Sequence, residues 1–419
     1  MPWRTLIRTS SALRAAPVLF VWLVMYSGNM TGWITEGYWP SVASQSTFLL
    51  NFTAPAVAAC GAWEALKVRR SAVLNTAPAR SSTMIALAAL APALALGAVS
   101  VLLALAMFVP QAGGFPGWSL PVILLLELLV VLAHASVGYV LGLALPRLLA
   151  VPLTLIASFV WMAYPSALDI FWVRQLNGRN LTECCALDQV PATRAVCAAA
   201  VATLGMIAAA WLWNGLRAPL RLTAFVALAA TVAAGAWIAE PLDFRAAQPR
   251  SASEQTCTEG TPQICLWPEQ RSEASDITGW ASEAQQRLNA VGVTQLAPVK
   301  PLSDKPTRED IQSLIALGSI PNHAPPCASE RGVRWSGIEA VGPLSAWLKL
   351  TAGVAPRAVE TRYGRPAVQL AGRVMTLTTE EQHTWFQRNA STLTGCDTKP
   401  DLDPSHFHQT AGAQAGGAQ

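Results

Sequence analysis

The sequence predicts an all-α polytopic membrane domain of about seven transmembrane helices, followed by a small α+β extracytoplasmic domain. Three observations lead to this fold class. The 419-residue chain is 52% hydrophobic and only 13% charged, whereas soluble domains carry about 25% charged residues. Long apolar stretches run from Ala15 to Glu240, and an ordinary polar composition begins at Pro241. The net charge of +4 is small and scattered, without the basic patch that nucleic-acid binding requires.

The first element is an N-terminal segment, residues 1–14, that precedes the membrane domain. At helical spacing its residues form an apolar side and a basic side, which suits a helix lying along the membrane surface. The apolar residues are Trp3, Leu6, Ile7 and Leu13, and the basic ones are Arg4, Arg8 and Arg14. A flexible start with basic flanks explains the pattern equally well. Because the apolar run continues through Gly28–Ile34 without a small-residue cleavage site, we expect a retained span rather than a signal peptide.

The membrane domain is expected to occupy residues 15–240. A helix needs about 20 apolar residues to cross the hydrocarbon core, and seven stretches reach that length. The predicted spans are residues 15–34, 48–66, 84–109, 120–145, 150–173, 195–216 and 222–239.

Basic residues in the short loops predict the orientation of these spans. With a cytoplasmic N-terminus, the inner segments carry most of the basic residues, namely Arg4, Arg8, Arg14, Lys67, Arg69, Arg70, Arg80, Arg147, Arg217 and Arg221. The outer loops carry only Arg174 and Arg179, with Arg194 at a boundary. An odd number of spans then places the C-terminus outside. The expected location is the inner (plasma) membrane.

The cysteines agree with this orientation because disulfides persist in oxidising compartments. Four of them lie in the C-terminal region, and we expect local pairing of Cys257 with Cys265 and of Cys327 with Cys396, although other connectivities remain open. Cys184 and Cys185 fall in an outer loop. Adjacent cysteines do not easily pair with each other without strain, and free thiols or a bond to another segment are the alternatives that stay open there.

The extracytoplasmic domain is expected at residues 245–396, with a disordered tail at 397–419. Helical patterns occupy Glu269–Val291, Arg308–Leu317, Ile338–Leu350 and Glu380–Leu393. Short apolar runs predict strands at Gln263–Trp267, Val293–Leu296 and Val368–Leu377. This mixture favours an α+β fold.

Two ionisable residues lie deep in the fourth predicted span. Glu127 and His134 are seven residues apart and therefore share a helix face. Charged groups in the bilayer centre are costly, so such residues usually face protein or a water-filled path. They indicate either a polar lining of a substrate route or proton relay, or a neutral glutamate hydrogen-bonded to a neighbouring helix.

Recognisable catalytic and cofactor motifs are missing from the sequence. It has no G-x-x-x-x-G-K-[ST], H-E-x-x-H, G-x-S-x-G or paired C-x-x-C pattern, so we expect no enzyme activity, no cofactor and no metal. His406-Phe407-His408 is interpreted as a solvated segment rather than a metal site.

The pattern A-P-x-x-A-A-C-x-A-W-E-A-x-x-x-R-R at Ala54–Arg70 resembles the second span and following loop of actinobacterial permease-like components of ATP-binding-cassette transporters. The stretch Cys257–Glu269 resembles the start of their C-terminal extracytoplasmic domain. The resemblance implies an exporter permease with an interfacial N-terminal helix and a homodimeric assembly. It also implies a loop, Glu64–Ser82, that docks on a separate cytoplasmic ATPase, and an outer elaboration at Arg174–Arg194. A seventh span and the large outer domain depart from that pattern.

The leading hypothesis is therefore the membrane subunit of an ATP-driven exporter, with the lipid bilayer and an ATP-binding subunit as partners and no nucleic acid. The expected partner-docking residues are Glu64, Lys67, Arg69 and Arg70. Simple positive-inside anchoring accounts for the same basic residues. The alternative function is a membrane-anchored receptor or scaffold, whose extracytoplasmic domain binds a ligand or envelope partner.

Overall fold

The chain divides into two compact units, Met1–Ser251 and Ala252–Gln419, each of which has its own core. The computed structural model describes residues 9–71, 81–215, 221–260, 262–303, 305–330 and 334–408. The N-terminal residues 1–8 of the predicted interfacial segment lie outside the described residues. Residues 11–14 of that segment belong to the first long helix, which begins at Ser11, where the Ser10 hydroxyl caps it by accepting a hydrogen bond from the Ala12 amide.

The first unit is built from helices. In chain order they are α1 (Ser11–Met30), α2 (Trp39–Ser46), α3 (Leu50–Arg70), α4 (Ser82–Phe108), α5 (Ser119–Ala144), α6 (Arg147–Ala163), α7 (Thr193–Gly215) and α8 (Leu222–Ala239). Two short antiparallel strands, β1 (Gln189–Pro191) and β2 (Ala247–Pro249), join the segment before α7 to the segment after α8.

Six helices in the described part of the chain are long and apolar enough to cross a membrane, so this is a membrane protein. These candidate spans are Ser11–Trp33, Ser82–Gln111, Ser119–Ala144, Arg147–Ala167, Thr193–Asn214 and Leu222–Ala239. They coincide with six of the seven predicted spans. The predicted end of the span 150–173 is wrong, because α6 stops at Ala163, two residues before Pro165. Asn177 caps that end by donating to the carbonyls of Trp161 and Met162, both at 3.0 Å.

The remaining predicted span, residues 48–66, corresponds to α3, which is not among the six apolar helices. At 21 residues α3 is about 31 Å long, enough to cross a bilayer. It packs against α1, α4, α5 and α6 and buries Asn51, Thr53 and Glu64 among other residues. A helix surrounded by protein needs no apolar exterior, which explains why its composition is less hydrophobic than that of its neighbours.

Side-chain contacts give the directions of these helices. Ser11 at the start of α1 contacts Glu64 near the end of α3, and Tyr26 near the end of α1 lies 4.6 Å from the Phe52 ring. α1 and α3 are therefore antiparallel. Gly138 and Gly142 of α5 lie against Ala58 and Ala62 of α3 in the same order, so α3 and α5 are parallel. One end of the bundle consequently holds the end of α3, the end of α5 and the start of α6, and we call it the basic end after Lys67, Arg69, Arg70 and Arg147.

The second unit is a helical domain with little sheet. Its helices are α9 (Ala274–Ala290), α10 (Arg308–Leu317), α11 (Ile338–Ala352), α12 (Pro356–Tyr363), α13 (Arg365–Val374) and α14 (Thr379–Ala390). Two strands of two residues each, β3 (Thr256–Cys257) and β4 (Cys265–Leu266), pair antiparallel. Fully buried Trp347 and Trp385 meet edge to face at 5.8 Å in the core. All four predicted helices are confirmed, and the Thr378 hydroxyl caps the start of α14 by accepting a hydrogen bond from the Glu381 amide.

Two of the three strands predicted in this unit are wrong. Val293–Leu296 carries no strand, and Val368–Leu377 falls mostly in helix α13. The buried positions of α13, Ala367, Ala371 and Val374, are spaced by four and three residues, which is the spacing of a helix face. The first part of the expected disordered tail is wrong. Residues 397–408 are ordered against α14, where Asn389 donates to the Asp401 carbonyl at 2.7 Å, and residues 409–419 lie outside the described residues.

Candidate functional site

At the basic end, Glu64 and Lys67 join the end of α3 to the start of α1. The Glu64 carboxylate is buried and accepts hydrogen bonds from the Ser11 amide at 2.8 Å and the Ser11 hydroxyl at 2.7 Å. Lys67 lies one helical turn further along α3, where its ammonium group is 2.8 Å from Glu64 and donates to the Thr9 carbonyl at 2.6 Å. The last turns of α3 are thereby fixed to the start of α1.

The two arginines that end α3 have different surroundings. The Arg69 guanidinium donates to the carbonyls of Leu143 and Leu145 at 3.2 and 3.0 Å, where α5 ends. Arg70 is exposed, and within the described residues it has no hydrogen bond or ion pair. Three of the four predicted docking residues thus make intramolecular contacts, and Arg70 is the one left facing outward. Residues 72–80 of the predicted docking loop lie outside the described residues.

The two polar residues of α5 are buried, as the sequence predicts, but they contact different helices. Glu127 accepts a hydrogen bond at 3.0 Å from the Ser46 hydroxyl of α2. His134 Nδ1 lies 2.6 Å from the Ser158 hydroxyl of α6. The glutamate therefore has the helix-to-helix hydrogen bond that one of the two interpretations expected. The other Glu127 oxygen has no hydrogen-bond partner among the described residues.

At the end of the bundle opposite the basic end, the segment between α6 and α7 folds over the ends of the helices. Its 3-10 turn Arg179–Glu183 packs on α2, where Thr182 donates to Gln45 at 3.2 Å. A cavity of about 400 Å³ lies here, lined among others by Phe48, Arg179, Cys185 and Arg245. The Arg179 guanidinium lies over the Phe48 ring at 5.1 Å, and burial lowers its pKa although nearby Glu183 opposes the change. The predicted outer elaboration, Arg174–Arg194, is thus an ordered structure with an open cavity.

The expected disulfides of the second unit are both present. Cys257 pairs with Cys265 across β3 and β4, and Cys327 pairs with Cys396. In the loop between α6 and α7, where the sequence left the state of the cysteines open, Cys184 and Cys185 are bonded to each other. That pair lines the cavity of about 400 Å³ beside Phe48 and Arg179. Among the described residues, no group of three or more His, Cys, Asp or Glu side chains is placed to hold a metal ion.

These features define the class: a helical membrane protein with a buried polar central helix and a separately folded, disulfide-bonded C-terminal unit. Residues 264–396, about a third of the chain, match the family model described as a domain of unknown function, DUF7224. The match lies within the second unit and covers its helices α9 to α14. No curated protein and no solved structure matches the chain.

Proposed function

We propose that this chain is the membrane subunit of an ATP-driven exporter whose ATP hydrolysis is supplied by a separate cytoplasmic protein. The observation that carries the proposal is the fixation of α3 at the basic end. Glu64 binds Ser11 of α1, and Arg69 binds the end of α5, so the helix that leads into the proposed docking loop is held on two sides. A displacement of the end of α3 would therefore also move α1 and α5, because both are hydrogen-bonded to it.

Two features of the bundle suit a transport role. α3 lies between other helices and carries buried polar side chains, while the buried Glu127 and His134 join α5 to α2 and α6. Polar groups held between helices at membrane depth are typical of substrate routes and of the contacts that rearrange around them. The outer cavity, lined by Arg179 and Phe48, would be the exit side of such a route. Assembly as a homodimer is part of the proposal.

The proposed orientation places the basic end in the cytoplasm. It carries Arg14, Lys67, Arg69, Arg70 and Arg147. Arg174 and Arg179 at the other end lie over the rings of Phe244 and Phe48, so internal packing accounts for them. The bonded cysteines of the first unit also lie at that other end, which suits an oxidising compartment.

A reporter fused after Gln419 tests this orientation. An enzyme that is active only after export, such as an alkaline phosphatase, is expected to be active in the fusion, whereas a fluorescent protein that matures only in the cytosol is expected to stay dark. The matched control is the same pair of reporters fused after Ser71, at the end of α3. After Ser71 the phosphatase is expected to be inactive and the fluorescent protein is expected to fluoresce. A cytosolic C-terminus would place the proposed docking loop in the wrong compartment.

Copurification tests the ATPase partner. The full chain, isolated from its native membrane after mild crosslinking, is expected to bring down a protein with a nucleotide-binding P-loop, identified by mass spectrometry. Arg70→Glu is expected to reduce its recovery at least tenfold, because the exposed guanidinium at the end of α3 would be replaced by the opposite charge. Arg14→Glu, an equal charge change on exposed α1, is the control and should leave recovery unchanged. Full recovery with Arg70→Glu rules out this docking site.

A second candidate function is a membrane-anchored receptor or scaffold. It is favoured by the second unit, which has its own aromatic core around Trp347 and Trp385 and a disulfide between Cys327 and Cys396. The copurification experiment separates the two candidates, because a receptor would bring down an envelope protein or ligand and no ATPase.

A further inference from the structure

A groove of about 370 Å³ lies between α3 and α6 at the basic end, and of its charged side chains the transport proposal assigns a docking role to Arg70 but none to Arg147. Trp63, Lys67 and Arg70 line it from α3, and Arg147 and Val151 line it from α6. Its outward walls are open, since Trp63 is 42% exposed and neighbouring Leu148 is 87% exposed. In a candidate membrane span that begins at Arg147, such apolar exposure faces lipid.

The groove has one charged end and one apolar end. Lys67 is neutralised by its ion pair with Glu64 at 2.8 Å, so Arg70 and Arg147 supply the net positive charge. Within the described residues, neither of these arginines has a hydrogen bond or ion pair. Two unpartnered guanidinium groups beside one groove favour a phosphate-bearing anion, because guanidinium geometry matches phosphate oxygens.

The apolar end continues away from the charges. Val151 and Pro152 follow Arg147 by one helical turn on α6, and Leu66 of α3 faces the same groove. A ligand that fills both ends must join an anionic headgroup to a hydrocarbon chain. Basic pockets between transmembrane helices at the cytoplasmic face bind the headgroups of anionic lipids in this way. Trp63 adds an aromatic side chain of the kind enriched at the membrane interface.

We propose that this groove binds one anionic phospholipid, with its phosphate between Arg70 and Arg147 and an acyl chain along Val151 and Pro152. The lipid would bridge α3 and α6 at the basic end, so it would stabilise the same helix end that the transport proposal assigns to ATPase docking. The lipid site does not depend on that assignment. Its test therefore changes Arg147, which has no part in the proposed docking.

Native mass spectrometry of the purified full chain counts bound lipids and provides the test. The protein in a neutral detergent is titrated with phosphatidylglycerol and, separately, with phosphatidylcholine. Wild type is expected to bind the first phosphatidylglycerol several-fold more tightly than phosphatidylcholine. Arg147→Gln is expected to weaken phosphatidylglycerol binding about fivefold, the effect of one basic residue near the membrane surface. Arg147→Lys is expected to retain most of the affinity.

Three controls make the result specific. Arg14→Gln removes an equal charge from exposed α1 and should leave lipid binding unchanged. Val151→Trp fills the apolar end while the charges remain, and it should weaken phosphatidylglycerol binding as well. Millimolar inorganic phosphate should not displace the lipid, because it cannot occupy the apolar end. Equal losses with Arg147→Gln and Arg14→Gln, equal affinity of wild type for the two lipids, or displacement by phosphate would each overturn the proposal.

Discussion

Replacing Gly138 with valine is expected to lower the free energy of unfolding of the membrane unit by about 3 kcal/mol, the upper part of the range for overpacking. The reason is the close approach of α5 to α3. A Cβ atom at Gly138 would overlap the backbone carbonyl of Ala58, and the Cβ positions at Gly61 and Gly142 come within 2.5 Å of the carbonyls of Ala135 and Ala62. Backbone atoms cannot move aside as a side-chain end can, so the helices must separate. Small residues at close helix contacts are a general feature of membrane bundles.

Thermal unfolding of the purified full chain in detergent, followed by loss of the monodisperse size-exclusion peak, measures this effect. Gly28→Val is the matched control, because Gly28 also lies in a membrane helix but has no atom within 4 Å of its Cβ position. The control is expected to melt near wild type, and Gly138→Val well below it. Equal midpoints for the two variants would show that α3 and α5 are not in close contact.

Removing the disulfide between Cys327 and Cys396 is expected to destabilise the second unit by about 4 kcal/mol in the chain-entropy treatment. The bond joins cysteines 69 residues apart, so it restricts a large part of the unfolded unit. Removing the bond between Cys257 and Cys265, which are only 8 residues apart, is expected to cost about 2.5 kcal/mol. The double alanine variants of each pair provide a direct comparison within one protein.

Pulse proteolysis in increasing urea, with detection of the C-terminal fragment, measures the two losses in the full chain. The midpoint should fall further for the Cys327→Ala/Cys396→Ala variant than for the Cys257→Ala/Cys265→Ala variant. Reduction of the wild type should lower the midpoint at least as far as the larger of these shifts. A larger loss from the 8-residue pair would contradict the entropic explanation, as would no loss from either pair.

The membrane helices were predictable because their signal is local. Apolar length alone located six spans, five of them within a few residues at both ends. The short apolar run Val368–Leu377 misled the prediction, since such a run suits a strand as well as a helix. The pattern of buried positions would distinguish a strand from a helix, but that pattern depends on the residues that pack against α13.

The candidate site was predictable only in part. Glu127 and His134 were correctly placed on one buried helix, but their partners Ser46 and Ser158 lie on different helices far away in the sequence. In the same way, Glu64 and Lys67 were identified as a charged group at the end of α3, whereas their contacts with Ser11 and Thr9 span more than fifty residues. The groove between α3 and α6 had no sequence signal, because its two walls are separate segments.

The sequence by itself determined that the first part of the chain is built of membrane helices and that a polar unit with paired cysteines follows, because hydrophobicity and cysteine position are properties of the residues themselves. Only the tertiary structure decided that α3 lies among the other helices, that Glu64 fixes its end, and that Arg70 and Arg147 line one groove. Those facts arise from the packing of helices that are distant in the chain. A polar residue such as Glu64 has the same identity whether it faces a partner protein or the start of α1, and packing alone distinguishes the two.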